Sequence, residues 1–473
     1  MGGLKTNDLH TATLTRRLAA RSGGSALVNT HLDRNDVDLN RITAAHDGAP
    51  DFLVALADLV RHAVTRHGRA TVLTIHGWNA IGPALDLGLG RRPGPEQGGK
   101  PRRTAASDRF LRTAAAILIR EGEAAGIVVT PGIRYAARAR ENLIQLFNGR
   151  YADDPRPLVR ELAALGASCD AMQLELAIPL RFPGPWRTRF ETAFAAAVPA
   201  LLDPEAVAPL ACPLNSPVPA LTAGLARSLE FVGEDLSGLV SIDRQGARLL
   251  LFEPSGRLVM CTRERLAGDE AERVGDLRLG PLTGGALRAR FEGPMCAFPD
   301  TEPFLDLEDG LARADVVPVR ADLAFERGHG GPHPCPFGRV RGTVTVDGQP
   351  TRIDAAAYVS ANTWTGAGVR LRLDRDLALL ASVGDEPGGF LCRRGEHVRV
   401  ASCRVEPRPD STGAGTLAID ASTVGGERLR VETDTMHELP VVRGHTEPAV
   451  RIVFAACRLA QGRQPAGWCR REG

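Results

Sequence analysis

Residues 27–42 read LVNTHLDRNDVDLNRI, and the first half of the chain is best understood outward from them. The apolar residues 26–28 that lead into the stretch predict a short buried strand. Directly after it come His31, Asp33, Arg34, Asp36, Asp38, Asn40 and Arg41. Charge at that density just past a strand end is costly to bury unless the groups pair or hold a ligand. Two arginines among three aspartates suit a planar anion, with Arg34 or Arg41 gripping a carboxylate and an aspartate steadying the guanidinium. A solvated loop of neutralising ion pairs accounts for the same residues equally well.

Upstream, Asp8 offers a helix N-cap, and Leu9, Leu14 and Leu18 follow at helical spacing until Gly23-Gly24 stops the run. Downstream, residues 50–66 place Phe52, Leu53, Leu56, Leu59, Val60 and Ala63 on one face, which predicts an amphipathic helix. A β-branched strand over 70–75 then leads to His76. Strand, charged loop, helix and strand in that order predict an α/β sandwich with its chemistry at the carboxyl ends of the strands. Residues 77–106 read as a long loop, 110–123 as a helix, 126–129 as a strand and 186–202 as a closing helix. Between the last two, the apolar run 169–177 carries one glutamate, Glu175, in MQLELA.

Asp8, the DLNR of residues 38–41, the strand ending on His76 and the QLELA of residues 173–177 together resemble the N-formylglutamate amidohydrolase family, relatives of the zinc carboxypeptidases. The resemblance covers residues 6–177 and implies a mixed sheet sandwiched by helices. It implies zinc held by Asp8 and His76, and Glu175 moving a proton from zinc-bound water to the leaving amine. It also implies that Arg34 and Arg41 hold the carboxylate of a small N-acyl or N-formyl amino acid, with Asp38 and Asn40 supporting their loop. The family's first zinc ligand lies on a histidine-bearing segment upstream of the position of Asp8, and no histidine precedes Asp8 here. The expectation is therefore an impaired site that binds zinc weakly, with His10 and His31 as the substitutes within reach. Arg134 and Arg138 lie where the family keeps a further arginine, but a solvated face suits them better.

At 473 residues two or three domains are expected. A net charge of +2 makes electrostatic nucleic-acid binding a poor default. All basic residues except Lys5 and Lys100 are arginine, which reads as coding bias. Nine cysteines without a CxxC pair point to reduced thiols in a cytoplasm. The first ten residues lack the apolar core of a signal peptide, and no run reaches the roughly 18 apolar residues of a membrane span.

Near Pro204 the texture changes. Residues 204–220 read as a Pro-rich linker between an α/β domain over 1–203 and an all-β region over 221–473. Ten to twelve short alternating runs there, with turns such as Asp347-Gly348, predict an antiparallel sandwich or barrel, and from Asp235 onward the pattern resembles the paired lipocalin-like domains of carotenoid-hydratase-type proteins, which implies two barrels. His329, His333 and Cys335 cluster in GHGGPHPC, which reads as a loop between β layers. Two functions compete on this basis. One is a zinc-dependent amidohydrolase; the alternative is a non-catalytic binding protein whose β half encloses an apolar ligand.

Overall fold

The computed structural model describes residues 8–78, 82–91, 93, 104–215, 227–233, 235–243, 246–253, 255–264, 270–281, 286–299, 307–327, 337–360, 368–374, 377–382, 389–393, 396–409, 415–424, 426, 428–441, 450–459 and 466–472. The chain divides into two compact units, Met1–Ala220 and Leu221–Gly473.

The first unit is α/β. Its helices are α1 (Thr11–Ser22), α2 (Ile42–Gly48), α3 (Pro50–His67), α4 (Asp108–Phe110), α5 (Ala116–Ala124), α6 (Pro157–Leu165), α7 (Ile178–Arg181) and α8 (Pro185–Leu202). Its strands are β1 (Ala70–Trp78), β2 (Ala84–Gly88), β3 (Val128–Thr130) and β4 (Cys169–Ala177), joined in the order β1-β4-β2-β3. β1 and β4 run parallel and β2 antiparallel to β4, so the sheet is mixed. All nine residues of β4 are buried, as its central place requires, whereas β1 at the edge is half-buried along most of its length.

The helix ends follow from local chemistry. Gly23 and Gly68 close α1 and α3 in left-handed backbone that favours glycine, and Pro50 starts α3 where its missing N–H costs nothing. α3 and α6 pack Leu53, Leu56, Val60 and Leu162 on the sheet face that carries Ala70, Ala171 and Cys169. α1 docks on α8 through Glu191, which is fully buried and accepts two bonds each from Arg17 and Arg21.

Three expectations are corrected. Residues 26–28 form no strand, and no sheet pairing involves them among the described residues. The segment over 77–106 is not one loop: β2 lies inside it, and its Asp86 accepts from Thr130 Oγ1 and from the backbone of Gly132, Ile133, Arg134 and Tyr135. Residues 204–212 are laid against the first unit, not free of it. Arg109 donates to the carbonyls of Pro204, Glu205 and Val207, and Leu210 N donates to Arg112 O.

Among its described residues the second unit is all-β apart from α9 (Leu307–Arg313). It begins with β5 (Arg227–Val232), β6 (Ser237–Ile242), β7 (Gly246–Phe252), β8 (Leu258–Glu264), β9 (Arg273–Val274), β10 (Leu277–Pro281), β11 (Leu287–Phe298), β12 (Asp315–Arg327), β13 (Phe337–Val346) and β14 (Gln349–Ser360). Because β11 pairs with both β8 and β12, and β14 with β5, eight of these strands form a closed ring, with β10 and β9 attached to β11. Its alternate residues, among them Phe231, Leu251, Val319, Phe325 and Val344, form one continuous apolar core. The β13–β14 turn uses Asp347 and Gly348, both at positive φ, as a tight hairpin demands. A second closed barrel follows: β15 (Gly368–Asp374), β16 (Leu377–Ser382), β17 (Gly389–Arg393), β18 (Glu396–Pro409), β19 (Gly415–Thr423), β20 (Arg428–Val441), β21 (Val450–Leu459) and β22 (Ala466–Glu472). The GHGGPHPC cluster, residues 94–103 and residues 216–220 lie outside the described residues. No helix among the described residues is long and apolar enough to cross a membrane.

Candidate functional site

The sheet register places the site. His76 of β1 lies directly beside Glu175 of β4, and Glu175 lies opposite Asp86 of β2. Paired residues in a sheet share a face, so the strand ends carry a polar stripe on a surface otherwise packed with apolar side chains. Gln173, two residues before Glu175, shares that face. It donates to Glu175 Oε1 at 2.6 Å and accepts from Asn142 at 2.8 Å and Asn40 at 3.5 Å.

Asp8 does not cap α1 with its side chain. The cap position is His10, in left-handed backbone, and the carbonyl of Asp8 accepts from Thr11 Oγ1 at 2.6 Å. The carboxylate is thereby left to meet His76 Nδ1 at 3.0 Å with one oxygen and Arg34 Nη1 at 2.9 Å with the other. Burial alone would raise the Asp8 carboxyl, but His76, Arg34 and Arg181 outweigh it and hold it below the usual carboxylate range. Glu175 behaves oppositely. Burial pushes it up; His76 opposes this and Asp8 adds to it, so it is the readier of the two carboxyls to hold a proton.

Arg34 also lies 3.8 Å from Asp38, and Arg41 3.9 Å from the other oxygen of Asp38. Asp38 and Asn40 are buried and hold the loop: Asp38 accepts from the backbone of Asn40, and Asn40 reaches Gln173 and the backbone of Leu143. The Arg41 side chain is 43% exposed, so of the two arginines Arg34 is the one built into the cluster. A cavity of about 1060 Å³ opens beside the pair, with Asp8, Arg34, Asp38, Asn40 and His76 at one end. Glu175 is set behind His76 and is 7% exposed. Arg134 and Arg138 are exposed.

Arg181 is a part of the site that residue spacing does not reveal. Only 2% exposed, it donates to Leu9 O at 2.6 Å and Trp78 O at 3.3 Å, which ties the segment bearing Asp8 to the end of β1. Gly77 makes room for it: a Cβ there would come within 2.6 Å of Arg181 Nε and 2.8 Å of Cζ. The Arg181 guanidinium fills the space beside Gly77. Gly77→Ala is accordingly expected to cost about 2 kcal/mol or more, since Arg181 must surrender charge-assisted bonds to make way. Urea denaturation of the single variant and of Gly77→Ala with Arg181→Ala would check this. Equal stability of Gly77→Ala and the parent chain would refute the close approach.

No family model and no curated protein matches the chain. A solved structure, the crystal structure of CghA with Sch210972, is similar at 11% identity and a TM-score of 0.31, covering 52% of this chain and 86% of that one. A likeness so slight bears on neither fold nor function. The site must be read from its own geometry.

Zinc can be tested on the donors present. Asp8 and His76 supply an oxygen and a nitrogen side by side, but a catalytic zinc takes three protein ligands. Among the described residues no three His, Cys, Asp or Glu side chains form a group that could hold a metal ion. His10 lies tilted against Phe182 with ring centroids 4.3 Å apart, and His31 is exposed on a turn closed by Asn29. The oxygens of Asp8 are moreover taken by His76 and Arg34. Asp8 and His76 by themselves supply two of the three protein ligands that a catalytic zinc takes.

Proposed function

We propose that the first unit carries a hydrolase site of the N-formylglutamate amidohydrolase type, on a zinc-carboxypeptidase-like sheet, for a small amide bearing a carboxylate. The observation that carries this reading is the meeting of Asp8, His76, Glu175 and Arg34, drawn from four separate stretches, at the carboxyl ends of two parallel strands. Ion pairs that only neutralise a surface do not need a histidine and a glutamate side by side on adjoining strands. In this reading Arg34 turns from Asp8 and Asp38 to the substrate carboxylate, which is a forked acceptor of the same kind. His76, oriented by Asp8, and Glu175, oriented by Gln173, take a proton from the water that attacks the amide carbonyl and return it to the nitrogen as the C–N bond breaks, which leaves a carboxylic acid and a free amine. Arg41, less engaged, steers the anion from the rim.

The test is hydrolysis of N-formyl and N-acetyl amino acids by the full chain, alongside elemental analysis. Slow turnover with less than one zinc per chain is expected. Arg34→Ala is expected to raise KM about tenfold or more and Arg41→Ala less than threefold, since Arg34 is the less exposed of the two and bonds Asp8 directly. Failure to bind or cleave any carboxylate-bearing amide would reject the reading. An equal effect of both arginine variants would reject the assignment of Arg34.

A further inference from the structure

An apolar wall leads away from Arg34 and His76. Val72 shares the sheet face of His76 by strand alternation, and α3 packs over that face. Leu39, Phe52, Ala63 and Val72 are each half-buried: they pack against the apolar core of that face and also line the cavity of about 1060 Å³. Thr74, between Val72 and His76 on β1, is the polar exception. The wall has a direction. α3 and β1 are joined through Gly68 and Arg69 alone, so they run antiparallel. Counted from Gly68, Phe52 lies about 24 Å back along the helix and His76 about 26 Å along the strand. Phe52 is therefore level with His76, and Ala63, about 16 Å further along the helix axis, lies toward the Ala70 end.

Apolar walls with a few placed polar groups at one end are the make-up of a small-molecule pocket. A formyl or acetyl group on a small amino acid would meet Arg34 and His76 and leave the wall bare. An amino-acid side chain is too short to follow it from Phe52 to Ala63, whereas an unbranched acyl chain is long enough. We infer that the site takes N-acyl amino acids with a long aliphatic acyl chain. The carboxylate lies on Arg34, the amide at His76, and the chain runs past Phe52 toward Ala63 and Val72. The inference rests on the proposed hydrolysis for its head group and goes beyond it in naming the acyl chain. Methylenes laid on the wall bind substrate and transition state alike, so their contribution appears in KM.

The probes are N-acetylglycine, N-octanoylglycine and N-lauroylglycine, followed on the full chain by steady-state kinetics and by titration calorimetry. From acetyl to octanoyl, KM is expected to fall about thirtyfold or more while kcat changes less than about threefold. Ala63→Trp, which blocks the far end of the wall, is expected to raise KM for the lauroyl substrate about tenfold and to leave the acetyl substrate within about twofold. Ala63→Leu, a milder filling of the same place, should shift the lauroyl substrate in the same direction by less. Cleavage of all three with the same KM overturns the inference and leaves the hydrolysis standing. Calorimetric binding that tightens with chain length, without cleavage, upholds the acyl wall and rejects the hydrolysis. Binding of the lauroyl compound that neither Ala63 variant diminishes, or no binding of any of the three, overturns the inference.

Discussion

Replacing Glu175 by glutamine is expected to lower amide hydrolysis about a hundredfold or more while leaving KM nearly unchanged. The substitution keeps shape and the hydrogen bond from Gln173. It removes the one carboxyl in the cluster that burial pushes above the usual glutamate range. Positioned proton transfer contributes typically 10²–10⁴-fold, and kcat is where its loss appears. Glu175→Asp, which shortens the reach, is expected to fall between the two. The measurement is steady-state kinetics on an N-formyl amino acid with thermal midpoints taken in parallel. Unchanged kcat in a folded Glu175→Gln protein would show that Glu175 serves only to fill the sheet.

A second large effect is expected far from the cluster. Arg17→Ala with Arg21→Ala should cost about 3 kcal/mol or more, because it strips four hydrogen bonds from the fully buried Glu191 and leaves only Arg187, 3.8 Å away. The pH dependence should change sense. In the parent chain burial works to raise the Glu191 carboxyl, but Arg17 and Arg21 outweigh it and hold it below the ordinary glutamate value of 4.5. A depressed folded value means the stabilisation is complete above pH 4.5 and is lost as pH falls through the folded value. Without the arginines burial prevails and the folded value lies above the ordinary one. The variant should then gain stability as pH falls through its folded value toward 4.5, where this group leaves the parent unchanged. Urea midpoints between pH 4 and 8 would decide it, and parallel pH profiles would contradict the assignment. Since α1 begins just after Asp8, the variant should also lose activity.

Much of the first unit was legible because its elements are long and periodic. The run 169–177 and the helix beginning at Pro50 stand out by apolar spacing alone, and His76 and Glu175 can be seen as polar residues where such strands end. The charged stretch 27–42 promised arginines with aspartate partners, and Arg34 has them. What could not be read was long-range. β2 is five residues among glycines and prolines, and only its place beside β4 makes it a strand. The isolated apolar triplet at 26–28 looked like a strand for the same local reasons and pairs with none among the described residues. Gln173 carried a signal, standing two residues before Glu175. Arg181 and Asn142 carried none, since each acts on a residue more than thirty positions away. In the all-β unit β14, with its run of three alanines, lacks the usual strand composition and is recruited by β13 and β5.

The first barrel is closed by unequal seams. β11 and β12 share eleven residue pairs and β13 and β14 ten, each joined to a partner near it in the chain. The ring, however, is completed by β8 with β11 over three pairs and by β14 with β5 over five, and the latter joins residues 228 and 360. Hairpins form in microseconds, whereas a contact across more than a hundred residues waits on the whole intervening chain. Assembly should therefore run through two preformed half-shells, each exposing raw edges until the last seam zips. The same short seams are where the finished ring should breathe first, admitting solvent or a neighbour's strand without disturbing either half.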